Sequence, residues 1–389
     1  MSIIKYLFRK EHYIITALTG LIVLILSIVT FKLPAFDPLA KALKNISVTD
    51  LFFSLENKYC DPDTCKSIVL VDMTELHNRG DLGNMLSEIG DAHPKAIGID
   101  LIFEGEKDDI EGNLILEQAV EKIAPYTVFA KKLTDYDPNK KSFTGMTFSY
   151  FSTMIPITEG YANITDNLEK STIRELTITQ NTALGTQYSL TAGVAKMVGY
   201  KHKGSQKIVI NYRPVHFECI PFDKIKENSA LIKDKIVLVG TMKEEQDTHL
   251  TPLGKLPGLE IQAYSLLSLL EHKRISYTSS AISITIAILM SLLYELVLGA
   301  MALFIASRRE RLRIFLTESC LLSNLVSMTY VSGISLLSYA IFYWEGIYID
   351  MVTVLIWVAF VGLSRRLYFA TKKSLLAPPQ DKTEVNKKQ

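Results

Sequence analysis

Residues 13–31, YIITALTGLIVLILSIVTF, contain no charged side chain. Wound as a helix, this run is about as long as the ~30 Å hydrocarbon core of a bilayer is thick. Further apolar runs occupy 281–305, 314–343 and 347–364. The pattern predicts four transmembrane helices in a 1 + 3 arrangement, with a polar stretch of ordinary charge content between the first and the second. The first run is longer than a signal-peptide core of about 7–15 residues, and FKLPAFDP after it offers no A-x-A-like cleavage site. It is read as an uncleaved signal anchor.

Basic residues set the orientation, because short cytoplasmic segments carry the excess of Lys and Arg. Lys5, Arg9 and Lys10 precede the first span. Arg308, Arg309, Arg311 and Arg313 lie between the second and third, and Arg365, Arg366, Lys372 and Lys373 follow the fourth. The turn WEGIYID has neither Lys nor Arg, and Tyr343, Trp344 and Tyr348 suit an outer aromatic belt. All basic clusters share one side if residues 1–12 and the tail 365–389 are cytoplasmic and residues 32–280 are extracytoplasmic. The expected location is thus the cytoplasmic (inner) membrane, multi-pass, with the lipid bilayer as the first partner. Glu295 falls inside the second span. It is expected to act either as a proton relay or, preferably, as a protonated helix glue bonded to a Ser or Thr of the third span. That third span is rich in small hydroxyl residues and is expected to be buried within the bundle.

A net charge of +1 argues against nucleic acid as a partner. Of the four cysteines, Cys60 and Cys65 bracket the turn-like run CDPDTC and are the candidate disulfide. No second Cys or His pair has ligand spacing, so no metal and no cofactor is expected.

Within 32–280, three short apolar runs end in a polar residue or glycine: SIVLVD (67–72), KAIGID (95–100) and KIVLVG (235–240). They read as buried parallel strands. A helical stretch joins the first two, another follows 100, and TVFAKKL continues as a strand. The fold class is therefore α/β, a mixed, largely parallel sheet flanked by helices. Residues 140–180 read as antiparallel strands, 186–200 as a helix, KIVINY (207–212) as a strand, and 257–274 as a helix running towards the second span.

In order along the chain, SVTDLFFSL, IVLVDMTE, HPKAIGIDLIFEG, STIREL, YSLTAGVAKM and LIKDKIVLVGTMKEEQDTHLTPLGKLPGLEIQAYSLLSLL resemble the CHASE domain of type two. This is the second class of cyclase- and histidine-kinase-associated extracellular sensing domains, found on bacterial membrane receptors. The resemblance covers roughly residues 33–275, and it implies an extracellular ligand, a cytoplasmic kinase or cyclase output and, by analogy, a homodimer. No output domain is recognised after the last span, so a separate signalling or membrane-complex partner is expected.

Ligands of open α/β sheets bind at the carboxyl ends of strands. Asp72, Asp100, Asp247 and His249 are therefore expected to converge on one cleft. Thr251 belongs to the same loop, and Arg174 is expected either to pair with an acid or to meet an anionic ligand. An Asp at a strand end also commonly holds a turn or caps a helix. The leading function is a sensor that signals through a partner. The alternatives are an accessory subunit of a membrane complex and a metal-dependent hydrolase. The chain has no nucleophile elbow, P-loop or H-E-x-x-H, and no catalytic residue is assigned.

Overall fold

The computed structural model describes residues 9–32, 48–140, 142–164, 172–201, 207–243, 247–271, 275–318 and 321–376. The chain divides into two compact units, one of residues 49–276 and one that gathers 1–48 with 277–389.

The 49–276 unit begins with α2 (Val48–Tyr59), following α1 (Lys10–Lys32) of the other unit. Then come β1 (Asp63–Asp72), α3 (Arg79–Asp91), β2 (Ala96–Ile99), α4 (Ile110–Ile123) and β3 (Thr127–Asp137). A polar stretch supplies β4 (Ser142–Thr147), β5 (Thr158–Tyr161), β6 (Glu175–Thr177), β7 (Thr179–Thr182) and β8 (Gly185–Tyr188). It closes with α5 (Leu190–Met197), β9 (Lys207–Val209), β10 (Val215–Pro221), α6 (Ser229–Ile232), β11 (Ile236–Gly240), β12 (Thr248–Thr251), β13 (Gly254–Pro257) and α7 (Gly258–Leu270).

The expected α/β fold is present. One sheet runs β10-β1-β11-β2-β3-β4-β7-β8, with β5 also on β3. From β10 to β3 every pairing is parallel, and β3 then turns antiparallel to β4. The central strands are apolar on both faces because both faces are covered. On one face Ile97, Ile99, Val237, Val239 and Phe129 pack with α3, α4 and Phe151. On the other face α5 and α7 lie against the sheet. Side chains fix the helix starts: Asn78 accepts from Asp81 N at 2.7 Å to begin α3, and Asp109 accepts from Gly112 N at 3.0 Å to begin α4. KIVINY yields a strand only over Lys207–Val209, since Ile210 and Tyr212 are buried core residues outside it.

The expected Cys60–Cys65 disulfide is not formed. Cys65 sits within β1 and turns its side chain inward, whereas Cys60 follows the end of α2 and faces solvent, so both are free thiols. Cys219 is also free, and Cys320 lies outside the described residues.

Among the described residues the second unit holds four helices long and apolar enough to cross a membrane: α1, α8 (Ser280–Ala306), α10 (Leu321–Glu345) and α11 (Met351–Leu376). The predicted third span 314–343 is divided, its first part belonging to the short α9 (Glu310–Glu318). The fourth runs well past residue 364. Helices α1, α8 and α11 pack on one another, with the Trp357 ring of α11 against Gly20 of α1. The expectation of a buried third span is overturned: α10 is the least buried of the four. Of its serines, Ser327 meets the Tyr294 hydroxyl of α8, while Ser335 stays with its own helix. Ser327 and Ser335 bond back to their own helix at Ser323 O and Val331 O. The contacts of α10 are aromatic, Tyr330 lying 4.8 Å from Tyr294 ring to ring and donating to Met290 O at 2.7 Å. Between α10 and α11, Tyr348 O accepts from Thr278 N at 3.0 Å and the Tyr348 ring lies 5.1 Å from that of Tyr277.

Candidate functional site

Strands β1, β11 and β2 end side by side. Asp72 is opposite Gly240, and Asp100 N donates to Val239 O at 2.8 Å just beyond β2. Asp100 thus reaches the α7 side of the sheet at its carboxyl edge. A methyl group on Gly240 would lie 3.0 Å from a Leu259 methyl and 3.4 Å from Asp100 Cβ, so the bare backbone lets the first turn of α7 descend beside Asp100. Asp247 enters from the preceding loop. Its carboxylate lies so near the N-terminus of α7 that a Cβ on Gly258 would stand 2.6 Å from Oδ2. A carboxylate is stabilised there by the helix dipole. His249, on β12, places Nε2 3.5 Å from Asp247 Oδ1.

Two carboxyls and an imidazole therefore meet at this edge. Burial, reinforced by the negative charge of Asp247, lifts the Asp100 carboxyl from 3.8 to about 7, with His249 opposing. Among the described residues the carboxyl accepts no hydrogen bond that would hold it ionised. Among the described residues no group of three or more His, Cys, Asp or Glu is arranged to hold a metal ion.

The remaining predicted site residues are engaged elsewhere. Asp72 Oδ1 accepts from Thr74 N at 2.9 Å and from Thr74 Oγ1. Thr74 Oγ1 in turn accepts from Met242 N at 3.0 Å, so Asp72 builds the turn that fixes the loop after β11. Thr251 is buried and closes the β12–β13 hairpin, donating to Gly254 O at 2.8 Å and accepting from Leu253 N at 3.1 Å. Arg174 forms a two-pronged ion pair with Asp50 of α2, at 2.8 and 2.6 Å. The expected four-residue convergence is thus reduced to Asp100, Asp247 and His249. Gly240 was expected at a strand end, but the way it and Gly258 let α7 and Asp247 approach was not visible in the sequence. The Pro-Gly before a helix was the visible trace of Gly258.

Glu295 is fully buried, but its partners are not those expected. Oε1 lies 3.2 Å from His12 Nδ1 of α1 and is bonded by Arg365 of α11. The bonding to α10 does not occur because α11 carries its helix past residue 364 and brings a guanidinium to the same level. Lys372 of α11 adds a 2.6 Å ion pair to Glu11 of α1.

Among the described residues an α/β unit, with polar groups at the carboxyl edge of its sheet, is preceded in sequence by one candidate membrane helix and followed by three. The CHASE2 domain model matches residues 19–301, and the chain belongs to that family of extracellular sensory domains. No curated protein and no solved structure matches the chain.

Proposed function

We propose that the chain is a membrane receptor. In this reading the 49–276 unit lies outside the cytoplasm of a bacterial cell, both termini lie inside, and the cluster Asp100–Asp247–His249 receives the signal. One observation carries it. The helix whose N-terminus the Asp247 carboxylate touches, α7, is also the last helix before the second span. A ligand or proton that repositions Asp247 acts directly on the segment that enters the membrane. The basic clusters, which all fall on the cytoplasmic side in this arrangement, support the topology. The change then passes through α1, α8 and α11 to a separate cytoplasmic partner.

The test is to isolate the intact protein in mild detergent from its native membrane and identify what accompanies it. A kinase, cyclase or regulator bound at the cytoplasmic side is the expected result. A purely structural membrane assembly overturns the reading. A membrane-impermeant maleimide applied to intact spheroplasts is expected to label the exposed Cys60 and Cys219. Labelling only after lysis would reverse the orientation.

A further inference from the structure

A second cleft lies on the 49–276 unit, at the amino-terminal end of β1 and so at the edge of the sheet away from Asp100. It encloses about 540 Å³, within the range of small-molecule pockets, and is lined by Asp63, Cys65, Lys66, Ser67, Arg213 and Glu271, with Val215 and Leu267 as its apolar wall.

The chain makes this cleft by breaking its own strand register. Thr64 pairs with His216, and the next pair is Val69 with Glu218. β1 thus advances five residues while β10 advances two, and the three extra residues are displaced from the ladder. Such bulges re-aim side chains and recur beside functional sites. Here the displaced residues are Cys65, Lys66 and Ser67, with Cys65 only 7 % exposed and its Sγ 3.6 Å from Ser67 Oγ.

Charge in the cleft is paired but not closed. Arg213 bonds Glu271 through Nη2, yet its Nη1 stops 3.8 Å from Asp63 Oδ2, beyond hydrogen-bond reach. Among the described residues Arg213 Nε also has no acceptor. The Asp63 side chain is 83 % exposed. An open donor and an open acceptor therefore face each other across the cleft. A simple anion entering here meets the repulsion of Asp63 and Glu271, and a simple cation meets that of Arg213 and Lys66. A molecule bearing both charges a few ångströms apart satisfies both.

We propose that this cleft binds a small zwitterion of the α-amino-acid class. Its carboxylate sits on Arg213, with Lys66 at the rim. Its ammonium group sits on Asp63, and its side chain lies towards Val215 and Leu267. Glu271 caps the C-terminal end of α7, so a ligand that draws Arg213 away from it reaches the segment leading to the second span.

The experiment titrates the intact protein in detergent with each proteinogenic amino acid, read by calorimetry and thermal shift. Any hit is repeated with the amine lacking its carboxylate and the acid lacking its ammonium group. At least one amino acid is expected to bind saturably, and each stripped analogue to bind at least about tenfold more weakly, since each loses a charge-assisted contact. Asp63→Asn, at an exposed position that the fold does not need, is expected to weaken the amino acid by a similar factor, and Arg213→Lys likewise. Asp100→Asn is expected to leave it unchanged, which separates this site from the carboxyl-edge cluster. The proposal is overturned if no amino acid binds, if a stripped analogue binds as tightly as its parent, or if Asp63→Asn has no effect.

Discussion

Asp100→Asn is expected to make the α/β unit more resistant to heat at alkaline pH and to change little at pH 4. The folded chain raises this carboxyl from 3.8 to about 7. A raised acid binds its proton more tightly in the folded state than in the unfolded one. Between the two values the folded protein therefore carries more protons, and its stability falls as pH rises. The stabilisation is complete below pH 3.8 and has been lost once the pH passes about 7. A displacement of that size corresponds to about 4 kcal/mol at ~1.4 kcal/mol per pH unit. For a unit of this size that is on the order of 10 °C in melting temperature. Asparagine retains the shape and removes the ionisation. The assay is far-UV circular dichroism melting of the intact parent and variant in the same detergent, from pH 4 to pH 8.5. Every other titrating group cancels in the difference between them. The gap is expected to open between pH 4 and 7 and to remain level above. Parallel curves across the whole range would refute the burial of an ionising Asp100 and, with it, the picture of a carboxyl poised beside Asp247.

Gly83→Ala forces a methyl group to within 2.8 Å of the Ile115 and Leu116 backbone where α3 crosses α4. It is expected to cost about 1–3 kcal/mol, seen as a lower melting temperature, and an unchanged melt would show that the helices part freely. Glu295→Gln removes the charge held between His12 and Arg365. It is expected to destabilise the bundle by about 3–5 kcal/mol, so survival of heating in detergent equal to that of the parent would count against the ion cluster. In the native protein Cys60 and Cys219 are expected to react with a soluble maleimide in minutes and Cys65 only after unfolding, because the first two are exposed and the third is buried. An intact mass two hydrogen atoms lighter before reduction, mapped to Cys60 and Cys65, would restore the disulfide.

The membrane helices and the three central strands were legible because each is a long or uniform apolar run whose burial needs no partner to be named. SIVLVD, KAIGID and KIVLVG could be placed in one parallel sheet for that reason. What they could not show is that β11, late in the chain, lies between β1 and β2, or that β10 joins the edge. Those neighbours depend on contacts far apart in sequence. The site was half legible on the same principle. Asp72 and Asp100 both end apolar strands, and only the local bonds of Thr74 distinguish a turn-holder from a group facing its neighbours. Small hydroxyl residues in the third span suggested burial, yet Ser335 is satisfied by its own helix and one bond from Ser327 to Tyr294 does not bury the span. Cys60 and Cys65 are close in number, but a helix end and a strand interior send their side chains different ways.

The links from Glu11 and His12 to Lys372 and Arg365 join two stretches made at opposite times during synthesis. When the ribosome has released α1 and α8, Glu295 already has His12 but still lacks its guanidinium. That cation arrives only with the last helix. A chain interrupted after α10 would leave a carboxylate in the bilayer with its cluster unfinished. α11 thus closes the polar cluster that α1 and α8 begin, and the packing of these three helices is coupled through one buried carboxyl group.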